Sequence, residues 1–165
     1  MTKGLRILAL LSLGLGLTVP AQAETEPENP KLPTGSWTAP CDMAGRAAQC
    51  QSTWTLGEVS PSVVVQMYYI RDRETGDILF TGKGVYHVTS ESVDGYWEDT
   101  SGGLMPITGT WQEGTLDVYW GLLGANAGRS RYVFENGRLG VTNWSLQESG
   151  WVEFMPVAYP ASADR

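Results

Sequence analysis

Apolar and polar side chains alternate along most of this chain with a period of two, the signature of half-buried β-strands rather than helices. In Phe80 to Val88 one face carries Phe80, Gly82, Gly84, Tyr86 and Val88, and the other Thr81, Lys83 and His87. In Leu116 to Trp120 the apolar face is Leu116, Val118 and Trp120, with Asp117 opposite. In Arg129 to Phe134, Ser130, Tyr132 and Phe134 oppose Arg129 and Arg131. Each strand has one greasy side and one wet side, as antiparallel sheets with a single buried face require.

The same pattern predicts strands at Val63–Ile70, Ile78–Val88, Val93–Thr100, Met105–Trp111, Thr115–Trp120, Arg129–Phe134, Arg138–Leu146 and Trp151–Tyr159, with a short one at Thr53–Leu56 and a first one entering at Gly35-Ser36-Trp37. Turn chemistry separates them: Gln112-Glu113-Gly114, Glu135-Asn136-Gly137 and Glu148-Ser149-Gly150 each place a Gly where a tight hairpin needs it. About ten closely spaced strands in one short domain close most naturally into a single antiparallel β-barrel. Gly82 and Gly84, two apart on the inner face, suit a strand that bends for closure. A β-sandwich is the alternative. The loop Gly121–Gly128 (GLLGANAG) reads as a wide, uncharged connection, either a plain hairpin loop or an entrance lid. One helical turn is expected within Met43–Ala48.

The N-terminus sets the compartment. Lys3 and Arg6 precede an apolar run from Ile7 to Val19, and Ala21-Gln22-Ala23 supplies a small-x-small cleavage pattern. The run is broken by Gly14 and Gly16 and is shorter than the roughly 20 residues a spanning helix needs. Residues 1–23 therefore read as a signal peptide, 24–34 as a disordered acidic, Pro-rich linker and 35–160 as the barrel domain, in a periplasmic or secreted protein. Losing residues 1–23 removes two of eleven basic residues and none of eighteen acidic ones, so nine basic face eighteen acidic side chains. Such a balance disfavours nucleic acid and anionic membrane surfaces as partners, and favours basic proteins or cations.

Cys41 and Cys50 are the two cysteines. An oxidising compartment lets them pair across a ten-residue loop, a constraint worth about 2–3 kcal/mol. Two cysteines at this spacing with no nearby histidine do not match a zinc site.

Chemistry is sparse. The single histidine, His87, shares a face with Lys83 and Thr81, away from Tyr86, so neither a triad nor a histidine-rich metal site can be built on it. Glu98 and Asp99 are adjacent and point to opposite faces, so they form no acid/base dyad with each other. Asp99 either shares the inner face with Trp97 and needs a partner from Lys83, Arg129 or Arg131, or caps the turn that follows it. Seven tryptophans remain the conspicuous feature. They either fill the barrel or line a cavity for an apolar or planar ligand.

Gly35-x-Trp37, Gly82-x-Gly84-x-Tyr86, Tyr96-Trp97-x-Asp99, Gly109-x-Trp111 with Leu116 five residues on, Arg131-Tyr132 and Trp151-x-x-Phe154-Met155 together resemble an uncharacterised family of exported bacterial proteins built on a lipocalin-like (calycin-type) barrel. The resemblance spans most of residues 35–159. It implies a barrel that binds a small apolar ligand, and it brings no activity with it. From the residues themselves, the candidate ligand-binding set is Tyr86, Trp97, Asp99, Trp111, Trp120, Arg131 and Tyr132, with no catalytic residue, metal or cofactor. The alternative function is an acidic protein-binding module, for example an inhibitor of a basic envelope hydrolase, with a filled interior. A cofactor-free isomerase using Asp99 or Glu98 with Tyr96 or Tyr132 is a third reading. It requires a carboxylate in the cavity with a raised pKa.

Overall fold

In the computed structural model, residues 31–122 and 125–161 are described. The expected leader and most of the expected linker lie outside them. Of the linker, Leu32 is buried against the barrel core.

Ten strands follow one another in an up-and-down meander: β1 (Gly35–Met43), β2 (Arg46–Leu56), β3 (Val63–Asp72), β4 (Ile78–Val88), β5 (Val93–Asp99), β6 (Leu104–Gln112), β7 (Thr115–Leu122), β8 (Ala125–Glu135), β9 (Arg138–Gln147) and β10 (Gly150–Tyr159). All nine consecutive pairs are antiparallel, and their spatial order equals their chain order. The first and last strands come together without ladder pairing, so the sheet curls into one nearly closed barrel. This is the all-β, single-barrel fold expected, consistent with a lipocalin-like barrel, and the sandwich alternative is discarded.

Alternation assigns the inside correctly. Val64, Gln66 and Ile70 of β3, Tyr86 and Val88 of β4, Leu116 and Val118 of β7, and Ser130 and Tyr132 of β8 are all buried. On the outer face, charges pair across the ladder. Lys83 faces Glu98 (3.5 Å), His87 faces Asp94 (3.3 Å), and Asp117 holds both Arg129 and Arg131.

Two local expectations are corrected. The segment between the cysteines is not helical: β1 and β2 pair all the way to Met43 opposite Arg46, around a turn at Ala44 and Gly45, both with positive φ. Asp42 Oδ1 accepts from the Gly45 N–H (2.7 Å) and fixes that turn. Cys41 and Cys50 are thus diagonal neighbours on adjacent strands and form a disulfide, with Cα atoms 5.8 Å apart. Gly121–Gly128 is not a wide loop either. Gly121 pairs with Asn126 and Leu122 with Ala125 after a register shift at Trp120, so backbone pairing outcompetes a broad connection there.

The two ends of the barrel differ. One is packed solid: Trp54 stacks on Tyr86 (centroids 5.2 Å) and lies edge-on to Tyr132 (5.1 Å) and Phe134 (5.2 Å). Phe134 in turn meets Trp37 edge-on (5.7 Å) and Trp111 at a tilt (5.9 Å). Aromatic contacts of this geometry add about 0.5–1.5 kcal/mol each to ordinary burial. The other end, where β5 turns into β6 and β9 into β10, is hollow.

Candidate functional site

The hollow end is a cavity of about 420 Å³. Its floor is Tyr86 and Tyr132, lying on the Trp54 cluster, and its walls include Tyr68, Phe80, Trp97, Ile107, Val118, Trp120 and Val141. It reaches solvent beside Ser101 and Phe154, both exposed. A volume of this order lies within the roughly 300–1,000 Å³ typical of small-molecule sites.

Two indoles shape the walls by lying over glycines of the neighbouring strand. A Cβ at Gly82 would overlap the Trp97 ring, and one at Gly128 would overlap the Trp120 ring. The glycines therefore give the indoles flat seats against the sheet. Each indole N–H is then satisfied within the wall. Trp97 donates to Asp99 Oδ2 at 2.8 Å, and Trp120 donates to Ser130 Oγ at 3.1 Å. Ser130 Oγ donates to Asn143 Oδ1 (2.7 Å), and Asn143 Nδ2 donates to the Met155 carbonyl (3.4 Å).

That carbonyl belongs to a β-bulge. The register of β10 against β9 slips between Phe154 and Val157, and Met155 has φ +49° immediately before Pro156. The bulge breaks strict alternation, so consecutive Phe154 and Met155 both reach the cavity. A proline costs no ladder bond there.

Below, a second polar chain is fully buried. Tyr86 Oη donates to Gln66 Oε1 (2.7 Å), Gln66 Nε2 donates to Ser52 Oγ (3.0 Å), and Trp54 Nε1 donates to the same hydroxyl (2.8 Å). Satisfied in this way, these groups meet the requirement that buried polar atoms be paired. Burial pushes the phenols of Tyr86 and Tyr132 up, and that of Tyr68 up to about 12. They stay protonated at neutral pH.

Asp99 combines both roles expected of it: it ends β5 and it borders the cavity. Its Oδ1 accepts from the Ser101 N–H (2.8 Å) and from the Ser101 hydroxyl, while Oδ2 takes the Trp97 indole. Partial burial works against ionisation. The hydrogen bonds from Ser101 and Trp97 outweigh it and hold the carboxyl below the usual range. Of the basic partners considered for it, none is used: Lys83 lies with Glu98, and Arg129 and Arg131 lie with Asp117. Among the described residues lining the cavity, Asp99 is the one charged side chain. A carboxylate held low is a weak general base, so the isomerase reading lacks the raised pKa it requires.

Five of the seven expected ligand residues, Tyr86, Trp97, Asp99, Trp120 and Tyr132, are brought together around this cavity. Two are not. Trp111 faces inward but lies at the packed end against Phe134. Arg131 faces outward, exposed, with its guanidinium on Asp117 (Nη2–Oδ2 2.6 Å). The lining residues that the sequence reading missed include Tyr68, Phe80, Asn143 and Phe154. Alternation places the first three on inner faces, whereas Phe154 depends on the bulge.

Among the described residues no group of His, Cys, Asp and Glu is arranged to hold a metal ion, and no helix is long and apolar enough to cross a membrane. No protein-family model and no curated protein matches this chain.

Proposed function

We propose that this protein is an exported binding module that holds one small, largely apolar molecule inside its barrel. The observation that carries this reading is the hollow end itself. A barrel of this size can fill its interior with aromatic side chains, and the opposite end does so around Trp54, yet about 420 Å³ stays free between Trp97, Trp120 and the Tyr86–Tyr132 floor. At roughly 30 Å³ per water, that is room for about 14 waters, or a ligand on the order of 15 non-hydrogen atoms. The polar groups of the wall are largely satisfied internally, which leaves an apolar lining with few directional demands. The exported setting rests on the leader pattern of residues 1–23 and accords with the Cys41–Cys50 bridge. The alternative of an acidic protein-binding module called for a filled interior, and the cavity weighs against it.

Trp97 and Trp120 make the test direct. A decyl-chain ligand titrated into the protein should change tryptophan emission saturably at one site per chain. Val141→Phe, which fills the space, should abolish that change in a folded protein. A saturable signal that survives Val141→Phe would place binding elsewhere, and no signal with any decyl ligand would count against the reading.

A further inference from the structure

Building on the reading of the cavity as a ligand site, we propose that its ligand is a cation: a lipophilic amine or quaternary ammonium whose head group sits at the mouth against Asp99 and whose tail runs down to the Tyr86–Tyr132 floor.

The mouth offers acceptors and π-faces. The Trp97 indole N–H, the Ser101 N–H and the Ser101 hydroxyl all donate to the Asp99 carboxylate. They are spent on it, and a ligand carboxylate arriving there would meet a like charge with no cation to offset it. Among the described residues no basic side chain lines the cavity: Lys83 pairs with Glu98 and Arg129 and Arg131 with Asp117 on the outer face, Arg71 of β3 is exposed over the Tyr69 ring, and Arg138 of β9 is exposed at the opposite end. The Trp97 ring is hydrogen-bonded to Asp99 and lies 6.4 Å from the Tyr68 ring, which lies 6.2 Å from that of Phe80, and Phe154 lines the same cavity. Aromatic faces attract cations through their quadrupoles, and several rings beside a carboxylate make the setting in which alkylammonium groups are held. The carboxylate stays ionised at neutral pH because the Ser101 donors of the turn and the Trp97 indole of β5 outweigh its partial burial. The acidic balance of the chain adds a long-range bias in the same direction.

Nothing in the lower cavity asks for a second charge. Ser130 donates to Asn143, Asn143 to the Met155 carbonyl and Gln66 to Ser52, so a hydrocarbon tail leaves none of them newly unpaired. Charge at the mouth and an apolar interior define an amphiphile of one polarity.

The test is calorimetric titration of the purified protein with three ligands of equal chain length below their aggregation limits: decyltrimethylammonium, 1-decanol and decanoate. Decyltrimethylammonium should bind at least tenfold more tightly than decanoate, with decanol between. Asp99→Asn should shrink that ratio to threefold or less. Asp94→Asn, which removes the same charge from the outer face of the same strand, should leave it intact. Equal affinities across the series, or tighter decanoate, would overturn the assignment while leaving the cavity a ligand site. Loss of the preference in Asp94→Asn as much as in Asp99→Asn would ascribe it to net charge and overturn it too. Binding of none of the three would overturn both this inference and the ligand-site reading. If Asp99→Asn does not fold, the wild-type series decides alone.

Discussion

The indole N–H of Trp97 donates to Oδ2 of Asp99, 2.8 Å away and two residues along the same face of β5. One bond orients the wall of the cavity and the charge at its mouth together. Trp97→Phe keeps most of the ring and removes the donor. Because Asp99 is partly exposed, we expect a stability loss of about 1 kcal/mol, at the low end for a charged hydrogen bond. The Asp99 pKa should rise toward the normal carboxylate value, measurable by carboxyl-carbon NMR titration. An unchanged Asp99 titration would show that the Ser101 donors alone hold it down.

Gly128 tests the seating of Trp120. A methyl group there meets the indole ring, not open space. Gly128→Ala should displace the ring, break its bond to Ser130 and cost roughly 1–3 kcal/mol, as overpacking does. Decyl-ligand binding should weaken at least tenfold. Gly45→Ala, where a Cβ meets nothing but φ is +83°, should lose stability from backbone strain alone and leave binding unchanged. Urea melts of both variants beside their binding isotherms separate the two effects.

The outer face has its own electrostatic anchor. Burial raises the Asp117 carboxyl, but the hydrogen bonds and charges of Arg129 and Arg131 outweigh it and hold the pKa below the usual range. Arg129 is further sandwiched over the rings of Tyr119 (5.6 Å) and Trp144 (5.1 Å). Its folded-state pKa being depressed, Asp117 contributes stability that is present above the unfolded value near 3.9 and lost as pH falls through the folded pKa. Asp117→Asn should therefore cost about 1–2 kcal/mol at pH 7, discounted for partial exposure. The difference from wild type should narrow below about pH 4. Equal differences at pH 7 and pH 3 in urea melts would contradict the ion-pair account.

Reduction of the Cys41–Cys50 bridge reopens a ten-residue loop at the edge of the barrel. Chain-entropy reasoning predicts a loss of about 2–3 kcal/mol. Cys50 Sγ also accepts from the Tyr68 hydroxyl (3.1 Å), and Tyr68 lines the cavity. The Cys41→Ser/Cys50→Ser variant should lower Tm, and because a serine hydroxyl can still accept from Tyr68, it should bind decyl ligands within about threefold of wild type. A Tm within one degree of wild type would argue that the hairpin needs no staple.

What the sequence made legible was the face of each residue, and what it left out was the height along the barrel axis. Trp111 and Trp120 both point inward by alternation, yet one packs on Phe134 at the solid end and the other walls the cavity. Their separation is set by the ladder register around the barrel, which no local pattern contains. Arg131 shows the converse. Alternation puts it outside, and across the β7–β8 ladder its guanidinium meets Asp117 instead of the interior. The strands β1 and β2 were underestimated because Ala, Gln and Cys are modest strand formers, and pairing with β3 supplies what local propensity does not. The Met155 bulge had no readable warning except Pro156, a residue that a regular ladder tolerates poorly.

Ligand binding at the hollow end and not on the outer surface can be observed directly. Methyl NMR reads this residue by residue, because Met105, Ile107, Val118, Val141 and Met155 line the cavity while Ile78, Leu104 and Val133 are exposed. Titration with decyltrimethylammonium or 1-decanol should shift the first group saturably and leave the second in place. Shifts confined to Ile78, Leu104 and Val133, or no shifts with either ligand, would rule out the hollow end as the binding site.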